Sequence, residues 1–163
     1  MKFMKKIFII LISLFIGSFV FAQSADVVTD ILQTEEVTYG QVCYLSASRQ
    51  NLIKKSASYS DAVKALYNAG QIKTLYKSDD KITLEEIAFI FVKIWPGAKD
   101  SLMYNLSGGS PRYSCKYLKS LEIIDNSKDP KAKISGREAL NILTDCMIEF
   151  GSKDECMDLE IGE

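Results

Sequence analysis

Val37-Thr38-Tyr39-Gly40-Gln41-Val42 is answered twice further along the chain, by Ile82-Thr83-Leu84-Glu85-Glu86-Ile87 and by Ile134-Ser135-Gly136-Arg137-Glu138-Ala139. Each stretch reads apolar, hydroxyl, two free positions, Gln or Glu, apolar. This is the signature of a capping box inside a hydrophobic staple. The hydroxyl of Thr38, Thr83 or Ser135 accepts an orphan N–H of the first turn, and the side chain of Gln41, Glu86 or Glu138 reaches back to the cap. The apolar pair on either side fixes the angle at which the chain enters the helix. Three such starts predict a helical repeat.

The repeat extends outward from these starts. Residues 59–95 lie over 111–147 at a constant shift of 52 with no gap: Leu66 meets Leu118, Ile72 meets Ile124, Ile90 meets Ile142, and Lys81-Ile82 meets Lys133-Ile134. Each unit reads as a helix, a loop of about a dozen residues and a second, capped helix. Ala62, Val63, Leu66 and Ala69 form the apolar stripe of one first helix, with Gly70 as its stop. Ile87 to Trp95 is apolar and β-branched enough to pass alone for a buried strand. Its counterpart, with Ala139, Leu140, Ile142, Leu143, Cys146, Met147 and Phe150 at helical intervals, assigns both to helix. The earliest copy starts a helix running to about Lys54, and only Ala25 to Leu32 precedes it as a partner, so that unit is short. The expected fold is all-α: one short and two full helical hairpins, about 25–55, 56–97 and 108–150, with a tail over 151–163, stacked into one domain because a single hairpin cannot bury its own apolar face.

The first residues set the compartment. Lys2, Lys5 and Lys6 precede an apolar run from Ile7 to Phe21, and Val20-Phe21-Ala22 supplies a small-residue cleavage pattern. That predicts a secretory leader over residues 1–22 and a mature chain from Gln23; an uncleaved anchor is the alternative, but the run is short for a span. No other segment is apolar and long enough to cross a membrane. Removing the leader lowers the basic count from 20 to 17 against 21 acidic residues, a net charge of −4. Such a surface offers no footprint for nucleic acid.

Four cysteines in an exported chain predict two disulfides. In an antiparallel hairpin the start of the first helix lies beside the end of the second. Cys115 and Cys146 occupy those places, where the preceding unit has Val63 and Ile94, so the expected pairs are Cys115–Cys146 and Cys43–Cys156. There is no histidine and no C-x-x-C, and no metal or cofactor is expected.

Helical units of about fifty residues, each closing on I-[ST]-x-x-E and an apolar helix, resemble S-layer homology domains, over about Val37 to Glu149. The resemblance implies a tether that holds exported proteins to pyruvylated wall polymers or, in some diderms, to peptidoglycan. At the positions of the family's polymer-binding arginine this chain carries Tyr39, Leu84 and Gly136. At those of its tryptophan it carries Ser58 and Ser110.

Chemical signatures are few. Trp95, Tyr104, Arg112 and Tyr113, in the connector between the full units, combine aromatic faces with a cation and suit a sugar ring or a partner peptide. The alternative is an ordinary connector in which Trp95 and Tyr104 close the core. The loops before Thr83 and Ser135 resemble calcium loops, but counting back from Glu86 puts Leu75 first and Lys77 third, and from Glu138 puts Lys131 fifth, where oxygen ligands are needed. Without histidine the usual nucleophile–base schemes are absent. Ser78 and Lys81 have S-x-x-K spacing but fall in a loop, and the adjacent acids Glu35/Glu36 and Glu85/Glu86 diverge on a helix. The expectation is an exported, non-enzymatic protein, periplasmic or at the cell surface, that binds wall polymer or an envelope partner protein. A carboxylate-based glycan-processing enzyme and a purely structural subunit of a surface complex are the alternatives.

Overall fold

A computed structural model describes residues 19–96 and 109–160, and their side chains over 26–96 and 109–151. Six helices and no strand occur among these residues: α1 (Phe19–Gln33), α2 (Tyr39–Arg49), α3 (Tyr59–Asn68), α4 (Leu84–Val92), α5 (Pro111–Ser120) and α6 (Gly136–Glu160). The chain is all-α, as its pattern predicts. No helix among the described residues is long and apolar enough to cross a membrane. Residues 1–18 of the predicted leader lie outside the described residues, and α1 runs through the predicted Ala22–Gln23 junction.

The helices do not pair within the predicted units. The extensive contacts join α2 to α3, α4 to α5 and α1 to α6, so each capped helix packs on the first helix of another unit rather than on its own. The units are also joined at the helix starts, whose first N–H groups have no partner inside the helix. Tyr39 and Gly40 donate to the carbonyls of Asp80 and Ser78. Leu84 and Glu85 donate to Ala132 and Pro130, the same positions one unit on, and Gly136 donates to Thr34. Each start is thus satisfied by the loop or helix end of a neighbouring unit. The residues before the caps meet as well: Val37 donates to Ile134 O, and Ile82 to Val37 O. Lys81 Nζ reaches Glu36 O at 2.7 Å, and Lys133 Nζ reaches Lys81 O at 3.0 Å. Three seams result, the third closed by α1 against the start of α6.

The predicted Cys115–Cys146 bridge is not formed: α5 packs chiefly on α4 and meets α6 through Tyr117 on Phe150, 6.0 Å between ring centroids, and Cys43, Cys115 and Cys146 are buried free thiols. Burial pushes the Cys43 thiol up to about 12, and burial with the nearby Asp145 does the same for Cys146. The predicted Cys43–Cys156 pair ends on a side chain outside the described ones. Residues 151–160 are not a separate tail but continue α6.

Of the three predicted boxes only the first closes in both directions. Gln41 N–H donates to Thr38 Oγ1, and Thr38 N–H to Gln41 Oε1 at 3.1 Å. Glu86 Oε2 instead takes both the N–H and the hydroxyl of Thr83, at 2.9 and 2.6 Å. At Ser135 the hydroxyl accepts Glu138 N–H, but the Glu138 carboxylate pairs with Lys128 at 3.2 Å. A fourth box, Ser58 with Asp61, opens α3. The first capped helix stops at Arg49, short of the predicted Lys54, because Asn51 turns out at φ 56°. Gly70 (φ 68°) ends α3 as expected, and Glu122 (φ 60°) ends α5 at the matching place.

The core gathers on α4. Leu84, Ile87, Ala88, Ile90, Phe91 and Val92 are buried, and α4 touches α2, α5 and α6. A helix apolar on all sides is a central one, which explains the strand-like composition of this segment. The staple residues Val37, Val42, Ile82, Ile87, Ile134 and Ala139 are all buried.

Candidate functional site

The first seam opens into a cleft of ≈ 420 Å³. Tyr39, the first residue of α2, forms its inner wall. Glu86, Phe89 and Ile90 line it from one face of α4, and Lys93 from the residue that caps its end. Ile72, Lys73 and Tyr76 come from the loop after α3, and Gly109, Ser110 and Pro111 from the entry to α5.

Hydrogen bonds and ring contacts fix these groups. Tyr39 and Tyr76 stack with centroids 3.9 Å apart and planes 10° from parallel. Tyr39 donates its hydroxyl to Glu86 Oε1 at 2.5 Å, while Glu86 Oε2 holds the Thr83 cap. One carboxylate therefore ties the aromatic wall to a helix start. Lys93 Nζ donates to Gln71 O and lies 3.9 Å over the Phe89 ring. Burial works to raise the Glu86 carboxyl. The hydrogen bonds from Thr83 and Tyr39 and the charge of Lys133 outweigh it and hold the group below its usual range. Tyr39 is pushed well above the ordinary tyrosine range by burial and by the anionic Glu86 beside it. At neutral pH the site holds a neutral phenol, an anionic Glu86 and two ammonium groups, within apolar walls. Such a cleft can bind and orient a ligand; its one carboxylate is already engaged on both oxygens.

The residues singled out from sequence are dispersed. Trp95 is only 2 % exposed and packs on Phe150 at 5.8 Å, so it closes the core and offers no face to a ligand. Tyr104 lies outside the described residues. Arg112 and Tyr113 are exposed at the start of α5, with Lys116 Nζ 5.5 Å from the Tyr113 ring centroid. The connector does reach the site, but through Gly109 to Pro111. Ser78 and Lys81 face different partners, and Glu85 turns to Lys131 while Glu86 turns to Tyr39. In the loops, Asp80, Asp125 and Asp129 accept backbone N–H groups of Lys77, Ser127 and Lys131 and so pin the turns.

The sequence reading kept Glu86 as a cap, after setting aside a calcium loop and an acid pair, and did not name Lys73, Tyr76, Phe89 or Lys93. A signal was there. Fifty-two positions on stand Asp125, Lys128, Asn141 and Asp145, and 45 positions after Tyr39 stands Leu84.

The sequence matches no protein-family model and no curated protein.

Proposed function

We propose that the chain is an exported, non-enzymatic protein of the cell envelope whose first seam binds a wall glycan. The observation that carries this reading is the half-buried Tyr76, backed by the buried Tyr39, in a cleft that also presents Phe89, Lys73 and Lys93. Aromatic faces with a few fixed polar groups in a concave site suit a sugar ring. Tyr39 stands at the place where S-layer homology domains, which the sequence resembles, carry their polymer-binding arginine. Export rests on the leader pattern, with processing between Ala22 and Gln23.

Co-sedimentation with purified peptidoglycan and with isolated wall polymer tests the reading. Tyr39→Leu installs the residue that the second seam carries, and Lys73→Ala removes an exposed cation from the rim. Binding by the parent chain and a loss of about tenfold or more in Tyr39→Leu, equivalent to about 1.4 kcal/mol, are expected. Equal binding by parent and Tyr39→Leu overturns the cleft as the site. Capture of a single envelope protein, with no glycan bound, would favour the assembly role instead.

A further inference from the structure

We propose that the glycan held at the first seam is bound as a chain, not by one terminal sugar alone: it crosses Tyr76 from the cleft of Tyr39 into a second hollow on α3. This rests on the first seam being a glycan site and names the form in which the glycan is held. The second hollow measures ≈ 420 Å³, the same as the first. Ser60, Val63 and Lys64 line it from α3, and Leu75 and residues 77–79 from the loop that follows. Tyr76 belongs to the walls of both hollows. Each alone stands near the lower end of the range for small-ligand sites, about 300–1,000 Å³. Joined across one aromatic ring, they suit a ligand of several sugar units.

The loop after α3 serves the first hollow with Ile72 and Lys73 and the second with Leu75 and residues 77–79, and Tyr76 stands where the two meet. Its ring is backed by Tyr39, and its loop is pinned on both sides. Upstream, Gln71 exchanges side-chain hydrogen bonds with Gln50, and the Gln71 carbonyl accepts Lys93 Nζ. Downstream, Lys77 N–H donates to Asp80 Oδ2 at 3.2 Å, and the carbonyls of Ser78 and Asp80 accept the N–H groups of Gly40 and Tyr39 at 2.9 Å. A platform fixed in this way needs little further ordering when a ligand lies across it. The second hollow mixes apolar and polar groups as a sugar chain does. Val63 is buried and forms the floor, Leu75 is 54 % exposed, and Lys64 and Lys77 are exposed on the rim. Apolar faces of sugar rings would lie on Tyr76 and Leu75, with their hydroxyls within reach of Ser60 and the lysines. Fifty-two positions on, Leu75 and Tyr76 are replaced by Ser127 and Lys128, so the loop of the next unit does without both apolar groups.

The test is calorimetric titration of the full chain with peptide-free oligosaccharides, from disaccharide to hexasaccharide, cut from purified peptidoglycan and from isolated wall polymer. Leu75→Ser is titrated alongside; it installs the residue of the matching loop at an exposed place outside the first cleft. The parent should bind one of the two sets about tenfold or more tighter as the chain lengthens from disaccharide to hexasaccharide, equivalent to about 1.4 kcal/mol. Leu75→Ser should keep the parent's affinity for the disaccharide and lose most of that gain. Parent affinity that does not rise with length overturns the second hollow and leaves the glycan site standing. A gain of equal size in Leu75→Ser overturns it as well, since the extra binding registers of a longer chain raise both proteins alike. No binding at any length in either set overturns the glycan reading and the chain-binding proposal with it.

Discussion

The first and second seams share one backbone plan and differ in what fills it. In both, the opening N–H groups of a capped helix donate to the loop of the next unit, Tyr39 and Gly40 to Asp80 and Ser78, Leu84 and Glu85 to Ala132 and Pro130. In both a lysine reaches a carbonyl across the seam. The first then presents Tyr39, Tyr76, Phe89 and Lys93 around Glu86. At the matching places the second has a buried Leu84, Lys128 paired with Glu138, and exposed Asn141 and Asp145. These backbone hydrogen bonds are made from Tyr39 and from Leu84 alike, so the scaffold can be kept while one seam becomes a site and the other stays a joint.

The third seam is where this plan can be broken most severely. At the position of Tyr39 and Leu84 it has Gly136, and a Cβ there would lie 1.6 Å from the carbonyl oxygen of Ile31. The obstacle is backbone, which cannot turn aside as a side chain can. Gly136→Ala should force α1 off α6, expose Ile31 and break the bond to Thr34, costing about 4 kcal/mol. That is a large share of a domain's stability. The urea midpoint measures it, and a midpoint equal to the parent's would mean that the seam is not closed by this approach.

The first seam should depend more on its acid than the second does. Glu86→Gln weakens charge-assisted bonds from Tyr39 and Thr83 and should cost about 2 kcal/mol. The pH dependence has a definite sign. The folded carboxyl titrates below its usual value, so on acidification the unfolded chain takes up the proton first. The stabilisation is complete above the ordinary glutamate value of about 4.3 and is lost as pH falls through the lower folded value. Urea midpoints of parent and Glu86→Gln should therefore converge below about pH 4. A constant gap down to pH 2 would count against Glu86 as the tie between cap and wall.

Units two and three also differ at the end of their first helix. Gly70 and Glu122 both adopt positive φ, and Gln71 and Ile123 donate to Leu66 and Leu118 in the same closing turn. Glycine takes this conformation freely, whereas glutamate meets a steric penalty. Glu122→Gly should raise stability by up to about 1 kcal/mol, part of the relief being offset by the freer unfolded chain. Thermal melts would show it as a rise of a few degrees; a fall would mean that the Glu122 side chain makes a contact worth more than the strain.

How much of this could be read beforehand follows from what each residue answers to. Caps, staples and the Gly70 stop are local, decided within a few residues, and so Thr38, Thr83 and the helical nature of Ile87 to Val92 were legible. Partner choice was not. The same apolar stripes satisfy pairing within a unit or between neighbouring units, and the bonds that join the units, from Tyr39 to Asp80 and from Leu84 to Ala132, span more than 40 residues. Of the two expected disulfides, Cys115–Cys146 rested on pairing within the last unit and is not formed. The cleft was hidden because Tyr39, Tyr76 and Phe89 look like core aromatics until the fold brings them to one seam, and Trp95, the most conspicuous aromatic, was drawn into the core by Phe150.

The smallest effect is the sharpest check on whether Glu86 and Glu138 are equivalent in more than sequence. Both stand third in a capping box, yet Glu138 leaves the Ser135 cap to pair with Lys128 across 3.2 Å, with both side chains substantially exposed. An ion pair so placed is screened and contributes under about 0.5 kcal/mol. Glu138→Gln can moreover return to the box, since an amide oxygen accepts the cap N–H as Gln41 does at Thr38. Loss and gain nearly cancel, and the urea midpoint should stay within about 0.5 kcal/mol of the parent's at low salt and converge further at high salt. A cost matching that of Glu86→Gln would show that the second seam also hangs on its acid, and the contrast between a joint and a site would then rest on Tyr39 and its aromatic neighbours alone.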